Sequence, residues 1–157
     1  MKIMLVGRIG TGKTSFKQAI QNKPISYKKT QAIEFDDDTD CKLSFVDTPG
    51  EYTENRSYYR ALIVTAIEAD LIILFQDCID KTLWFAPDFS SMFGDKPVIG
   101  IVTKIDISET KENIEHAHDS LLQAGCSAVF MVSNTTGDGI DQVKKYIFSH
   151  YVENQRL

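Results

Sequence analysis

The stretch "GRIGTGKT", Gly7 to Thr14, constrains this chain more than any other. It follows the apolar run "KIMLVG" and matches G-x-x-x-x-G-K-[ST], a loop whose backbone N–H groups close around phosphate oxygens. The helix that follows adds the positive end of its dipole. Gly7, Gly10, Thr11, Gly12, Lys13, Thr14 and Ser15 are therefore candidate nucleotide-binding residues. Lys13 suits the β- and γ-phosphates and is a catalytic candidate, and the Thr14 hydroxyl suits Mg²⁺. The glycine order G-x-x-G-x-G differs from the dinucleotide fingerprint G-x-G-x-x-G. A loop of this kind bridges a buried strand and a helix, so an α/β fold is required.

The rest of the chain agrees. Apolar runs without polar alternation ("LIILFQD", "PVIGIVTKID", "AVFMVS") read as strands buried on both faces of a parallel sheet. "QAIEF" and "CKLSFVD" read as an antiparallel hairpin over 32–47, with "DDDTD" as its solvated tip rather than a calcium loop. Between the strands, helices are predicted over about 13–22 (Phe16, Ala19 and Ile20 inward) and along a stripe of Tyr59, Leu62, Ile63, Ala66 and Ile67. Another follows Ser108, with Ile114, Ala117, His118, Leu121 and Leu122 on one face, and the last covers about 139–152. The expected fold is a three-layer α/β P-loop NTPase, Ras-like, with a six-stranded, mainly parallel sheet in one domain over residues 1–157. Ligands then belong at the carboxyl ends of the strands.

Those ends carry further motifs. "DTPG" offers Asp47 to Mg²⁺ and the Gly50 N–H to a γ-phosphate. Thr30, in the loop before the hairpin, is a candidate second Mg²⁺ ligand or an ordinary loop threonine. In "TKID" the Asp106 carboxylate can accept from guanine N1–H and its 2-amino group, a pairing adenine cannot offer. Lys104 can lay its stem along the purine. Thr103 stands where asparagine is more usual, and its hydroxyl can tie this loop to the phosphate loop. In "SNT", Ser133 and Asn134 lie where a backbone N–H can meet the purine carbonyl.

In this order the motifs resemble the small P-loop GTPase superfamily. "GRIGTGKT", "YKKTQAIEF", "DTPGEYTENRSYYRALIVTA", "FAPDFSSMF" and "KPVIGIVTKID" resemble more closely the ethanolamine- and propanediol-utilisation family, EutP/PduV. The resemblance implies a bacterial protein working beside a catabolic microcompartment, with GTPase-like and acetate kinase activities both represented in the family. GTP or GDP with Mg²⁺ is the expected ligand, with ATP the alternative, and acetate and shell or enzyme proteins are the further partners implied. The start at "MKIMLVG" favours the ethanolamine-type branch. A non-enzymatic assembly factor is the third reading.

Glu51 occupies the position where a hydrolysing GTPase usually has glutamine. It can cap the next helix, act as a slow general base, or serve a kinase. Arg56 and Arg60, spaced i, i+4, can neutralise a transferring phosphoryl group, bind a carboxylate acceptor, or pair with surface acids. "TLWFAPDFSSMF" is core or a docking patch.

Composition narrows the rest. A net charge of −5 argues against nucleic-acid or anionic-membrane partners, and no targeting segment or span is visible. Cys41, Cys78 and Cys126 suit reduced thiols in a cytoplasmic protein. His116 and His118 point to different helix faces and make no metal pair.

Overall fold

The computed structural model describes residues 1–22, 33–38 and 43–152. Its sheet runs β2-β3-β1-β4-β5-β6, with β1 Lys2–Gly7, β2 Glu34–Asp38, β3 Leu43–Asp47, β4 Leu71–Asp77, β5 Val98–Thr103 and β6 Val129–Met131. Five of these strands run parallel, and β2 pairs antiparallel with β3 at one edge. The architecture is the expected three-layer α/β fold with a mostly parallel sheet.

Strand alternation sorts the core into two layers. Met4, Val6, Ile72 and Leu74 face one cluster, with Leu62 and Ala66 from α3 (Tyr59–Ala66) and Ala117 and Leu121 from α4 (Lys111–Gln123). Ile3, Leu5, Leu71, Ile73 and Phe75 face the other. There they meet Phe16 and Ile20 from α1 (Lys13–Ile20) and Ile140, Val143 and Ile147 from α5 (Ile140–Ile147). Because β1, β4 and β5 are covered on both sides, their consecutive residues are nearly all apolar, which is why these strands show no polar alternation. None of the helices in the described residues is long and apolar enough to cross a membrane.

Three local expectations need correction, and one open alternative is decided. Asp36 to Asp38 lie within β2 instead of forming a turn, since their backbone pairs with Phe45, Ser44 and Leu43. An edge strand has one neighbour only, and charged residues are well tolerated there. On α3 the buried stripe is narrower than its spacing suggests, for Ile63 and Ile67 are 41% and 66% exposed. Leu122, 45% exposed, likewise leaves the stripe of α4, whose N-cap is Thr110. Thr110 accepts from Asn113 N at 3.3 Å. The aromatic run is core: Phe85, Phe89 and Phe93 are buried and form edge-to-face pairs with centroids 4.9 and 5.9 Å apart. That packing absorbs the rings a docking patch would have needed.

Candidate functional site

The chain leaves β1 for α1 on one face of the sheet and leaves β3 for α3 on the other. A crevice therefore opens between the carboxyl ends of β1 and β3. Residues 7–14 and 47–50 meet there.

The loop is shaped by its glycines. Gly10 and Gly12 adopt φ of 78° and 90°, a region L side chains rarely enter, and Gly12 is the N-cap of α1. Gly50 is required for a different reason. A Cβ on it would lie 2.2 Å from Ile9 N and 2.5 Å from Ile9 Cα, so Gly50 rests directly on the backbone of the 7–14 loop.

Inside the loop, Lys13 donates to Gly7 O at 2.6 Å and to Arg8 O at 3.2 Å. Burial pushes its amine down to about 8, against the opposing fields of Asp47, Glu54 and Glu51. This depressed value has a consequence for stability. At neutral pH the amine is charged in both folded and unfolded chains, and its burial is a cost. Between about 8 and the ordinary 10.5 the folded chain has released the proton while the unfolded chain keeps it, so stability rises with pH across that window. Lys13→Met should therefore melt higher than wild type at neutral pH, and the gap should close toward about pH 10. A gap that stays constant through the window would show that the amine is not shifted.

Thr14 Oγ1 donates to Asp47 Oδ2 at 2.5 Å, at the junction of α1 and β3. A hydroxyl and a fully buried carboxylate are hard oxygen donors, and one carboxylate beside phosphates and waters is the way Mg²⁺ is usually held. The pair fits that ion. The other candidate ligand, Thr30, lies outside the described residues, as does Cys41.

The segment that follows β5 is tied to the same loop. Thr103 Oγ1 donates to Thr11 O at 2.6 Å, the tether its hydroxyl was expected to supply. Lys104, at φ 65°, extends its amine to Asp77 Oδ2 at 3.3 Å, and Asp106 is exposed beyond it. Ser133 is fully buried and its Oγ accepts from Thr136 N at 3.1 Å. Asn134 does more than its backbone promised, since Nδ2 donates to Gly12 O at 3.1 Å. Two adjacent carbonyls of the phosphate loop are thus held from the ends of β5 and β6.

On the other side, α2 (Glu51–Glu54) begins immediately after Gly50. Glu51 is its first residue, in the first turn, where a carboxylate suits the helix dipole. Asn55 then breaks the chain at φ −125° and caps a short 3-10 turn over Arg56–Tyr58. Arg56 consequently sits in that turn while Arg60 sits in α3, so the two do not share one helix face. Both are exposed.

The sequence reading missed a cluster around Arg8. Its guanidinium donates to Asp80 Oδ2 at 2.6 Å and Glu54 Oε1 at 3.2 Å, and lies 4.3 Å from the centre of the Trp84 ring. Hydrogen bonding to Asp80 raises the arginine further above its ordinary range. One signal was available: an arginine inside a phosphate-binding loop demands acidic partners to occupy it. Cys78 and Cys126 are buried free thiols, and burial pushes Cys126 up to about 12. His118 is half-buried with Nδ1 3.2 Å from Asp119 Oδ1, in keeping with a hydrogen-bonded histidine.

Comparison with known proteins gives this geometry a context. Residues 1–149 match the PduV-EutP family, described as "Ethanolamine utilisation - propanediol utilisation". The propanediol utilization protein PduV of Citrobacter freundii is 38% identical over 99% of this chain and 97% of its own length. The probable acetate kinase EutP of Escherichia coli K12 is 28% identical, over 94% of this chain and 89% of its own. Among solved structures, translation elongation factor SelB from Methanococcus maripaludis, in complex with a GTP analogue, superposes with a TM-score of 0.70 at 22% identity. That match covers 95% of this chain but only 33% of the elongation factor, and supports the fold.

Proposed function

The chain belongs to the PduV-EutP family, a P-loop GTPase-like group linked to ethanolamine and propanediol utilisation, and from that premise we propose a Mg²⁺-dependent, GTP-preferring protein that hydrolyses its nucleotide slowly. The observation that carries the reading is the convergence on one loop of Lys13, the Thr14–Asp47 pair, Gly50 and the Thr103 tether. Thr14 and Asp47 would hold the metal ion, which supplies neutralising charge to the phosphates. Lys13 binds the β- and γ-phosphates, Gly50 offers its N–H to the terminal one, and Asp106 accepts from guanine with Lys104 against the ring. Thr103 and Asn134 fix the spacing between base and phosphates. Thr11, Ser15 and Ser133 shape the walls of that site.

Slow turnover follows from Glu51. A carboxylate has no donor for an attacking water's oxygen and adds negative charge where the transition state already carries it. Single-turnover GTP hydrolysis tests this. Glu51→Gln should accelerate hydrolysis by roughly tenfold, the scale of one well-placed amide against a repelling carboxylate. A fall of that size would instead make Glu51 the general base.

The name of the Escherichia coli relative motivates a second reading, phosphate transfer between ATP and acetate, for which exposed Arg56 and Arg60 could receive the carboxylate acceptor. Acetyl phosphate formed from ATP and acetate in the same assay, exceeding free phosphate, would favour it. Family membership also makes microcompartment shell or enzyme proteins the natural partner class.

A further inference from the structure

Arg8 joins three parts of the molecule that no chain connection holds together. It belongs to the phosphate loop; Glu54 closes α2, the helix that starts directly after the sensor glycine; Asp80 and Trp84 lie in the loop after β4.

The contacts are unequal. On the β4 side Arg8 is held by the 2.6 Å bond to Asp80 Oδ2 and by the Trp84 ring. Trp84 Nε1 donates to the same carboxylate oxygen at 2.8 Å. The remaining Asp80 oxygen accepts from Thr82 N at 3.0 Å, while Asp77 Oδ1 accepts from Asp80 N at 2.7 Å. Buried Gln76 stitches the loop further, with Nε2 donating to Asp77 O and Thr82 O, both at 3.2 Å. This side is a built clamp. On the α2 side there is a single 3.2 Å bond to one glutamate. Helix α2 has four residues and also leans on the Tyr52–Tyr58 stack at 4.7 Å, on the packing of Tyr52 against the core and on the buried Thr53, whose carbonyl accepts from Tyr59 Oη at 3.5 Å. An anchored cation facing one carboxylate on a short helix acts on the helix, since the clamp will not yield first.

We propose that Arg8 is a positioning residue, held by Asp80 and Trp84, that fixes α2 against the phosphate loop through Glu54 and so sets where Gly50 and Glu51 stand. It acts through α2 and does not touch the nucleotide. The consequence for turnover rests on the nucleotide reading above, whereas the coupling itself does not.

The test uses the full chain, as wild type, Arg8→Met, Glu54→Gln and the double variant. Trp84 is the only tryptophan, so emission recorded without nucleotide reports on Arg8 directly. Rapid amide exchange over residues 52–55, where Tyr52, Thr53 and Asn55 donate to Pro49 O, Gly50 O and Glu51 O, reports on α2. Both single variants should raise that exchange two- to fivefold, the size an exposed ion pair supplies, and the double variant should add nothing further. Glu54→Gln should also shift Trp84 emission, although Glu54 does not touch the indole. With GTP, kcat/KM should fall by a similar factor in both variants, because a loosened α2 carries the Gly50 N–H away from the terminal phosphate, while GDP affinity stays put. Unchanged α2 exchange in Arg8→Met would overturn the coupling whatever the nucleotide does. A KM that rises in Arg8→Met but not in Glu54→Gln would overturn it differently, by making Arg8 a nucleotide contact. Raised exchange in a protein that binds no nucleotide would sink the functional reading alone and leave the coupling standing.

Discussion

Lys13→Met should lower affinity for any nucleoside triphosphate by about a hundredfold while making the nucleotide-free protein more stable. The two effects have one cause. Folding buries a charged amine whose acceptors among the described residues are two loop carbonyls, Gly7 O and Arg8 O. A displacement from 10.5 to about 8 corresponds to a net penalty of roughly 3.5 kcal/mol on the charged amine, at about 1.4 kcal/mol per unit. Losing two hydrogen bonds offsets about 1 kcal/mol each, so a net gain of about 1–2 kcal/mol, or a few degrees in Tm, is expected. Phosphate reverses the balance, because the amine then meets an anion. A charge-assisted contact of about 2–3 kcal/mol is lost with the side chain, which sets the hundredfold figure. Calorimetric titration and a melting curve on the same sample check both halves. A variant that melts lower and still binds would mean the lysine serves the fold and not a phosphate.

Gly50→Ala should separate GTP from GDP. The added methyl meets backbone atoms of Ile9 at 2.2 and 2.5 Å, and backbone cannot rotate away as a flexible side chain can. Either α2 or the phosphate loop must retreat, at a cost of about 1–3 kcal/mol for overpacking. If the Gly50 N–H serves the terminal phosphate, GTP affinity should fall by about tenfold or more, while GDP, lacking that group, should lose much less. Parallel titrations of the two nucleotides decide it. Equal weakening would show that the variant distorts the loop generally and that Gly50 senses nothing.

The phosphate loop and its strand–helix setting were legible in the sequence because Gly10, Gly12 and Lys13 each answer a local demand of backbone geometry or charge. The buried strands were legible for a similar reason, since residues such as Ile72 and Ile73 alternate between two covered faces and must both be apolar. What failed depends on neighbours far away in the chain. Ile63 and Ile67 fit a helical stripe, but whether that stripe is covered depends on what the fold packs against α3, and both stay exposed. Asp36 to Asp38 look like a turn until β3 offers them a ladder. Asn134 was valued for its backbone, while its side chain reaches Gly12 across 122 positions, and no spacing rule announces such a tether. Arg8 shows the same limit, since Glu54 and Asp80 are brought to it by three different strand ends. Ion pairs assembled by topology leave no periodic trace.

The central claim is that this loop holds a guanine nucleotide, and the most direct test is titration of GTP, GDP and ATP in the presence of Mg²⁺, on wild type and on Asp106→Asn. A carboxylate accepting two guanine donors should favour GTP over ATP by at least about a hundredfold, because adenine would cover the Asp106 carboxylate and offer it no donor. The asparagine variant should lose that preference while still binding the phosphates. ATP binding as tight as GTP, and indifferent to the substitution, would contradict the account and move the phosphotransfer reading into its place.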